Sequence, residues 1–323
     1  MSTGAPVREN TEALALTGRG TGEDFEVSLA EGSIHAHRVV IATGPFQRPR
    51  IPQLASDVSP SVLQLDPTRY RSSEALPAGA VLVVGSGASG CQIADELLQA
   101  GRRVYLSVSR HRRAPRRFRG RDVFWWLEAL GRFAQTIDSF PARQYPPATV
   151  VTGVNGGYNV NVRQLAADGV SVLGRVIGAS GRNLAVQANA NQVLDDADQA
   201  YTGFLSAARQ FISDNAMEEW LDQEEPEEPV HFPAVEEVDS LNLAREGIYT
   251  IIWATGYAYD FDWVKIPVFD DRGRPIQQRG VTAVPGLYFL GLHWMHTFKS
   301  GLLSGVGADA EFLADHMARG SYR

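Results

Sequence analysis

Residues 81–110, VLVVGSGASGCQIADELLQAGRRVYLSVSR, constrain the fold more than any other stretch of this chain. The apolar run Val81 to Val84 leads into glycines spaced G-x-G-x-x-G. Ile93, Ala94, Leu97 and Leu98 then supply one helical face, Gly101 ends the helix, and Val104-Tyr105-Leu106 forms a second apolar run. Strand, glycine turn, helix and strand in that order make the dinucleotide fingerprint of a parallel α/β sheet. Gly85 permits the tight turn, and Gly87 lets the backbone approach a pyrophosphate. Gly90 lets the helix pack closely on the sheet, with its N-terminal amides toward the phosphates. Ser86, Ala88 and Ser89 complete the expected cradle.

The end of the second strand selects the dinucleotide. NAD sites usually hold the ribose 2′-hydroxyl with an acid at that point. Here Ser109 and Arg110 occupy it, followed by Arg112, Arg113, Arg116 and Arg117. An acid repels a 2′-phosphate, whereas a hydroxyl and a guanidinium bind one, each charge-assisted bond contributing about 1.5–3 kcal/mol. NADPH is therefore the expected dinucleotide, with Ser109 and Arg110 at its 2′-phosphate. The bland reading of the same arginines is a solvated basic surface. Nucleic acid is excluded as a partner by the net charge of −7, a pI of about 5.5 and the lack of a second basic stripe.

With 323 residues and 44% hydrophobic content, the chain buries a substantial core, expected as two domains. No apolar run reaches the ~18 residues that span a bilayer, and the start MSTGAPVREN has no signal-peptide apolar region. A soluble cytoplasmic protein without a membrane partner is expected. The single cysteine, Cys91, excludes an internal disulfide or redox pair and reads as a packed residue beside the phosphate loop. His35, His37, His293 and His296 lack further ligand spacing, so no metal site is expected. Ser300 and Ser304 lie near two of them, but G-x-S-x-G is absent and no triad order is supported.

Elsewhere, Phe25, Val27 and Leu29 alternate, Glu31-Gly32 turns, and Val39-Val40-Ile41 forms a strand ending at Thr43-Gly44. Residues 45–80, rich in Pro and Ser, read as a connection with little regular structure. Residues 141–160, with Pro146-Pro147 and Gly156-Gly157, read as loop, and 165–186 as a short helix followed by strands. Ala197, Tyr201, Phe204, Ala208 and Phe211 mark an amphipathic helix within 194–220, which could serve as a lid or partner surface but is expected to pack on the core. Residues 223–238, with Glu224-Glu225 and Glu227-Glu228, read as an acidic solvated loop. The strand-then-ATG pattern returns at 248–257, IYTIIWATGY, which suggests one domain inserted into another. GLYFLG at 286–291 is a buried strand, and Ser300-Gly301-Leu302-Leu303 is expected to begin a helix running to about Met317.

Four segments occur in an order that resembles the class B flavin-containing monooxygenases, within the two-dinucleotide-domain flavoproteins. They are VVIATGPFQRP at 39–49, VLVVGSGASGCQIADEL at 81–97, TIIWATGY at 250–257 and PGLYFLGLHWMHTFKSGLLSGVGADAEFLA at 285–314. The resemblance implies an α/β fold in which a Rossmann-like NADPH domain, 76–257, is inserted into a FAD-binding domain, 1–75 and 258–323. It implies FAD and NADPH as cofactors, with Thr43 and Gly44 near the flavin and Thr255, Gly256 and Tyr257 near the nicotinamide. Gly291 and the helix expected near Leu302 would flank the isoalloxazine, where a helix N-terminus favours an anionic reduced flavin.

The implied activity is NADPH-dependent oxygenation of nitrogen, sulfur or a ketone in a small-molecule substrate, through a flavin C4a-peroxide. No catalytic acid or base is implied. Two departures stand out. Pro60, Val62 and Asp66 occupy the Phe, Gly and His positions of the family's identifying motif, where only Tyr70 fits. Family members also open with a FAD fingerprint, whereas the 42 residues before Thr43 carry no strand–glycine–helix unit. The FAD-binding domain is therefore expected to be incomplete, its first unit lost, supplied by a homo-oligomer or second chain, or left upstream of Met1. Two alternatives follow: a non-catalytic NADP(H)-binding remnant or regulatory module, and an NAD(P)H:acceptor flavin reductase that does not oxygenate.

Overall fold

A computed structural model of the chain describes residues 4–19, 24–140, 150–223 and 232–320. The acidic pairs Glu224-Glu225 and Glu227-Glu228 and the Pro146-Pro147 step lie outside the described residues. The chain divides into two units. One comprises Met1–Arg48, Phe133–Tyr145 and Tyr257–Arg323, and the other Pro49–Arg132 and Pro146–Gly256.

The second unit is built on a five-stranded parallel sheet in the order Ser171–Leu173, Val104–Ser107, Ala80–Val84, Ile248–Trp253, Leu63–Leu65. Parallel strands covered on both faces read as unbroken apolar runs. Accordingly, all of Ala80–Val84 is buried, with Val83 opposite Leu106 on one side and Ile252 on the other. Helix Ala88–Gln99 buries Ile93, Ala94 and Leu97. It closes in a Schellman turn: Gly101, at φ +73°, donates its N–H to Leu98 O, and Arg102 N–H donates to Leu97 O. The strand–glycine–helix–strand order read from residues 81–110 is thus present element by element.

Three elements differ from the sequence expectations. Strand Leu63–Leu65 lies in the stretch expected to have little regular structure; it is a three-residue edge strand with no buried position, too short to give an apolar run. Residues in the eroded motif, and the Tyr70 that fits it, have local uses there. Val62 is buried, Asp66 accepts hydrogen bonds from Thr68 N and Oγ1, and the Tyr70 hydroxyl donates to Glu96 at 3.0 Å.

The amphipathic helix spans Ala190–Asp214, not 194–220. Ala190 and Val193 extend its buried stripe backwards, and Ala216 at φ +49° breaks it at the other end. Its middle packs Tyr201, Phe204, Leu205 and Ala208 against Phe118, Val123 and Trp126.

The third difference is in the first unit. Phe298–Gly301 is a separate 3₁₀ turn, closed by a reciprocal box between Thr297 and Ser300. Leu302 is extended, at φ −110° and ψ 150°, and helix Val306–Arg319 begins only after Gly305. The chain folds back tightly here, since a Cβ on Gly305 would lie 2.3 Å from Lys299 O. Leu302 is therefore not at a helix N-terminus.

The first unit otherwise contains an antiparallel meander of Ala13–Arg19, Asp24–Leu29 and Ser33–Ala36. Its four-stranded sheet runs Gln277–Gln278, Val281–Thr282, Leu287–Phe289, Val39–Ile41, the last two parallel. Leu16, Phe25, Ile41, Phe261, Leu287 and Phe289 form its core. Among the described residues, Val39–Ile41 is paired on one edge only, whereas Ile248–Trp253 is paired on both. No helix among the described residues is long and apolar enough to cross a membrane.

Candidate dinucleotide site

The glycine loop lies between strand Ala80–Val84 and helix Ala88–Gln99, and its three glycines have different reasons to be there. Gly85 sits at φ +111°, and a Cβ on it would lie 2.3 Å from Ala254 O, the residue after the second ATG strand. A Cβ on Gly90 would lie 1.9 Å from Gly85 O, where helix meets strand. Both are fixed by packing of backbone on backbone. Gly87 is different: its φ is −73°, a Cβ on it would meet nothing within 4 Å, and it is exposed. Packing among the described residues does not demand glycine at position 87, so the residue keeps the loop open from outside. Its N–H has no acceptor among the described residues, and helix Ala88–Gln99 has no side-chain N-cap. Amides at a helix start that are left to solvent, with no Cβ in front, suit an anion.

Ser86 is the buried member of the loop, at 3% exposure. Its carbonyl accepts from Cys91 Sγ at 3.4 Å and meets His111 Nδ1 at 2.9 Å. A carbonyl cannot donate, so Nδ1 carries the proton. His111 is itself 6% exposed, and burial pulls its pKa below the ordinary histidine value, with Arg113 acting in the same direction. Cys91 is wholly buried and its thiol is pushed up to about 12, so it is an inert packed donor beside the loop. No local sequence signal marks His111, which stands inside a run legible only as basic.

The structure sorts that basic run. Ser109 and Arg110 are exposed where the second strand leaves the sheet and make no hydrogen bond or ion pair with the described residues. Arg113 is 4% exposed, ion-paired to Asp198 at 2.8 Å and stacked over the Tyr201 ring at 3.9 Å. Arg163 pairs with the other oxygen of Asp198 at 2.7 Å. Arg116 is bound to Asp122, and Arg117 donates to the carbonyls of Gly156 and Gly157. Burial and the neighbouring Arg132 lower the pKa of Arg112. Arg110 is thus the arginine of the group left to solvent at the expected position.

Beyond the second ATG strand, Gly256 adopts φ +91° and its carbonyl accepts from Arg50 N at 2.8 Å, while Thr255 Oγ1 donates to Arg50 O. In the first unit, Gly44 stands at φ +73°, and Gln47 Nε2 donates to both Thr43 Oγ1 and Gly44 O. Phe46, 65% exposed, meets Tyr257 and His293 edge-on, with ring centroids 5.3 and 5.2 Å apart. The loop after the first ATG, Tyr257 and the loop following Gly291 (φ +76°) are therefore held together by one aromatic ring. Leu302, away from any helix start, accepts Gly305 N and Val306 N at its carbonyl. Ser300 Oγ accepts from His296 N and Thr297 N, so it caps a turn. No group of three or more metal-binding side chains occurs among the described residues.

A family described as pyridine nucleotide-disulphide oxidoreductase matches residues 2–201. An uncharacterized CzcO-like oxidoreductase of Geobacillus kaustophilus (strain HTA426) is 33% identical over 314 residues, covering 95% of this chain and 72% of that protein. An uncharacterized oxidoreductase CzcO of Bacillus subtilis (strain 168) is 31% identical over 314 residues, covering 97% and 73%. Among solved structures, a flavin-containing monooxygenase from Stenotrophomonas maltophilia superposes with a TM-score of 0.60 at 16% identity, covering 98% of this chain and 72% of that one; the fold is shared.

Proposed function

The chain belongs to the pyridine nucleotide-disulphide oxidoreductase family and is an oxidoreductase, and from that premise we propose that it is an NADPH-dependent flavoprotein of the monooxygenase type acting on a small molecule. The observation that carries the reading is Gly87: an exposed glycine at a helix start, whose amide has no acceptor among the described residues and whose Cβ position has none of their atoms within 4 Å. That arrangement fits a dinucleotide pyrophosphate. The Stenotrophomonas maltophilia neighbour is named a flavin-containing monooxygenase, which supports oxygenation over bare reduction. The 323 residues hold one cysteine, buried, so they form no dithiol relay of their own.

In this reading the second unit binds NADPH. Residues 85–90 hold the pyrophosphate, Ser109 and Arg110 the 2′-phosphate, and Thr255 and Gly256 border the loop at Ala254. The first unit offers FAD the positive-φ turns at Gly44 and Gly291 and a cluster of exposed Phe46 with the half-buried Tyr257 and His293. Bound flavin would supply hydride acceptance from NADPH and reaction with oxygen. The chain's own share is to orient the dinucleotide and keep water from the reacting face. His293 is held below its ordinary pKa by burial, which keeps it neutral beside Phe46 at neutral pH. The edge of Val39–Ile41 that has no partner among the described residues is where this reading would place a further parallel strand, such as one from a strand–glycine–helix unit of a second chain.

The absorption spectrum of the purified protein tests the flavin half of the proposal. Visible flavin bands that bleach on adding NADPH and return in air are expected. A colourless protein that takes up no added FAD would refute that half. Arg110→Ala tests the dinucleotide assignment: NADPH affinity should fall about 10- to 100-fold and NADH affinity less than about threefold. Equal losses would remove Arg110 from the 2′-phosphate.

A further inference from the structure

We propose that His111 is a positioning residue for dinucleotide binding: with Cys91 it holds the Ser86 carbonyl inward and so turns the Gly87 amide outward to the phosphate. The inference rests on the reading of residues 85–90 as a pyrophosphate cradle. A trans peptide carries its C=O and the next N–H on opposite sides. The Ser86 carbonyl receives two buried donors, His111 Nδ1 at 2.9 Å and Cys91 Sγ at 3.4 Å, so that peptide plane is fixed from beneath. The N–H on its far side belongs to Gly87, which is exposed and has no acceptor among the described residues.

The clamp explains why a histidine is buried at a position bordered by arginines. Its Nε2 has no hydrogen-bond partner among the described residues, nor has Ser86 Oγ. A buried polar atom left unpaired is costly. His111 therefore resides there for the bond at its other nitrogen. The charged groups that face it are Arg113 and Asp198, already paired to each other, so neither competes for Nδ1.

The test compares His111→Phe, which keeps a ring but removes the donor, with His111→Asn, whose amide nitrogen lies near the position of Nδ1. NADPH and NADH titrations by fluorescence are run together with thermal melts of each variant. The clamp acts on the shared pyrophosphate, so His111→Phe should weaken both dinucleotides alike, by about threefold to tenfold. His111→Asn should recover most of that loss. Should His111→Phe fail to fold, Cys91→Ala removes the second donor and is expected to weaken both dinucleotides alike by a smaller factor.

Unchanged affinity in a folded His111→Phe or Cys91→Ala protein would overturn the proposal. So would a loss confined to NADPH, which would make His111 a reader of the 2′-phosphate. A melting point lowered without any change in affinity would reduce it to packing. If the wild-type chain binds neither dinucleotide, the cradle reading fails first and the clamp with it.

Discussion

Gly87→Ala is expected to weaken NADPH binding roughly 100-fold or more, the equivalent of two charge-assisted bonds, while the protein stays folded. The new methyl meets no atom of the described residues within 4 Å, so the cost to folding is the poorer N-cap, about 1 kcal/mol. The methyl would occupy the approach to the loop amides. Gly90→Ala should do the reverse. Its Cβ would lie 1.9 Å from the Gly85 carbonyl, backbone against backbone, with no flexible side chain to give way. Overpacking of that kind costs about 3 kcal/mol or more, so the melting point should drop before any binding effect can be read. Thermal melts and NADPH titrations of both variants check the contrast. A Gly87→Ala protein that binds NADPH normally would show that position 87 faces no ligand.

Asp198→Ala should be the most damaging single change outside the loop. The carboxylate is shared by two buried guanidiniums, Arg113 at 4% and Arg163 at 7% side-chain exposure. Removing one member of a buried ion pair leaves charge in a medium that solvates it poorly, at about 3–5 kcal/mol. Arg163 keeps its bond to Asp195, a carboxylate more than half exposed, which softens but does not cancel the loss. The melting temperature should fall by about 10 °C. Asp198→Asn, which preserves shape, should cost less. A fall of under 2 °C in Asp198→Ala would show that the network holds nothing together. NADPH affinity measured well below the melting point should change little, because Asp198 is bonded to Arg113 and Arg163, neither of which belongs to the 85–90 loop.

That contrast also marks how far the sequence could be read. The glycine spacing and the apolar runs around it are local signals, and they located strand, loop and helix of the second unit. The charge of residues 109–117 was equally visible, but its division was not. Arg113 and Arg116 find their carboxylates at Asp198 and Asp122, and nothing local distinguishes a paired arginine from Arg110, which faces solvent. His111 was hidden for the same reason: its partner, Ser86, is 25 residues away. Strand Leu63–Leu65 has no local signature because an edge strand of three residues needs no apolar run; its place comes from pairing with Ile248–Trp253. Leu302 stands in a helical sequence pattern that the Thr297–Ser300 box and the tight turn at Gly305 interrupt.

The central claim is that residues 81–110 bind NADPH, and titration of the purified wild-type protein with NADPH and NADH in parallel tests it most directly. Saturable binding of one NADPH per chain, at least about tenfold tighter than NADH, is the expected result, as one charge-assisted contact to the 2′-phosphate contributes that much. Absence of NADPH binding up to millimolar concentration, or equal affinity for the two dinucleotides, would contradict it.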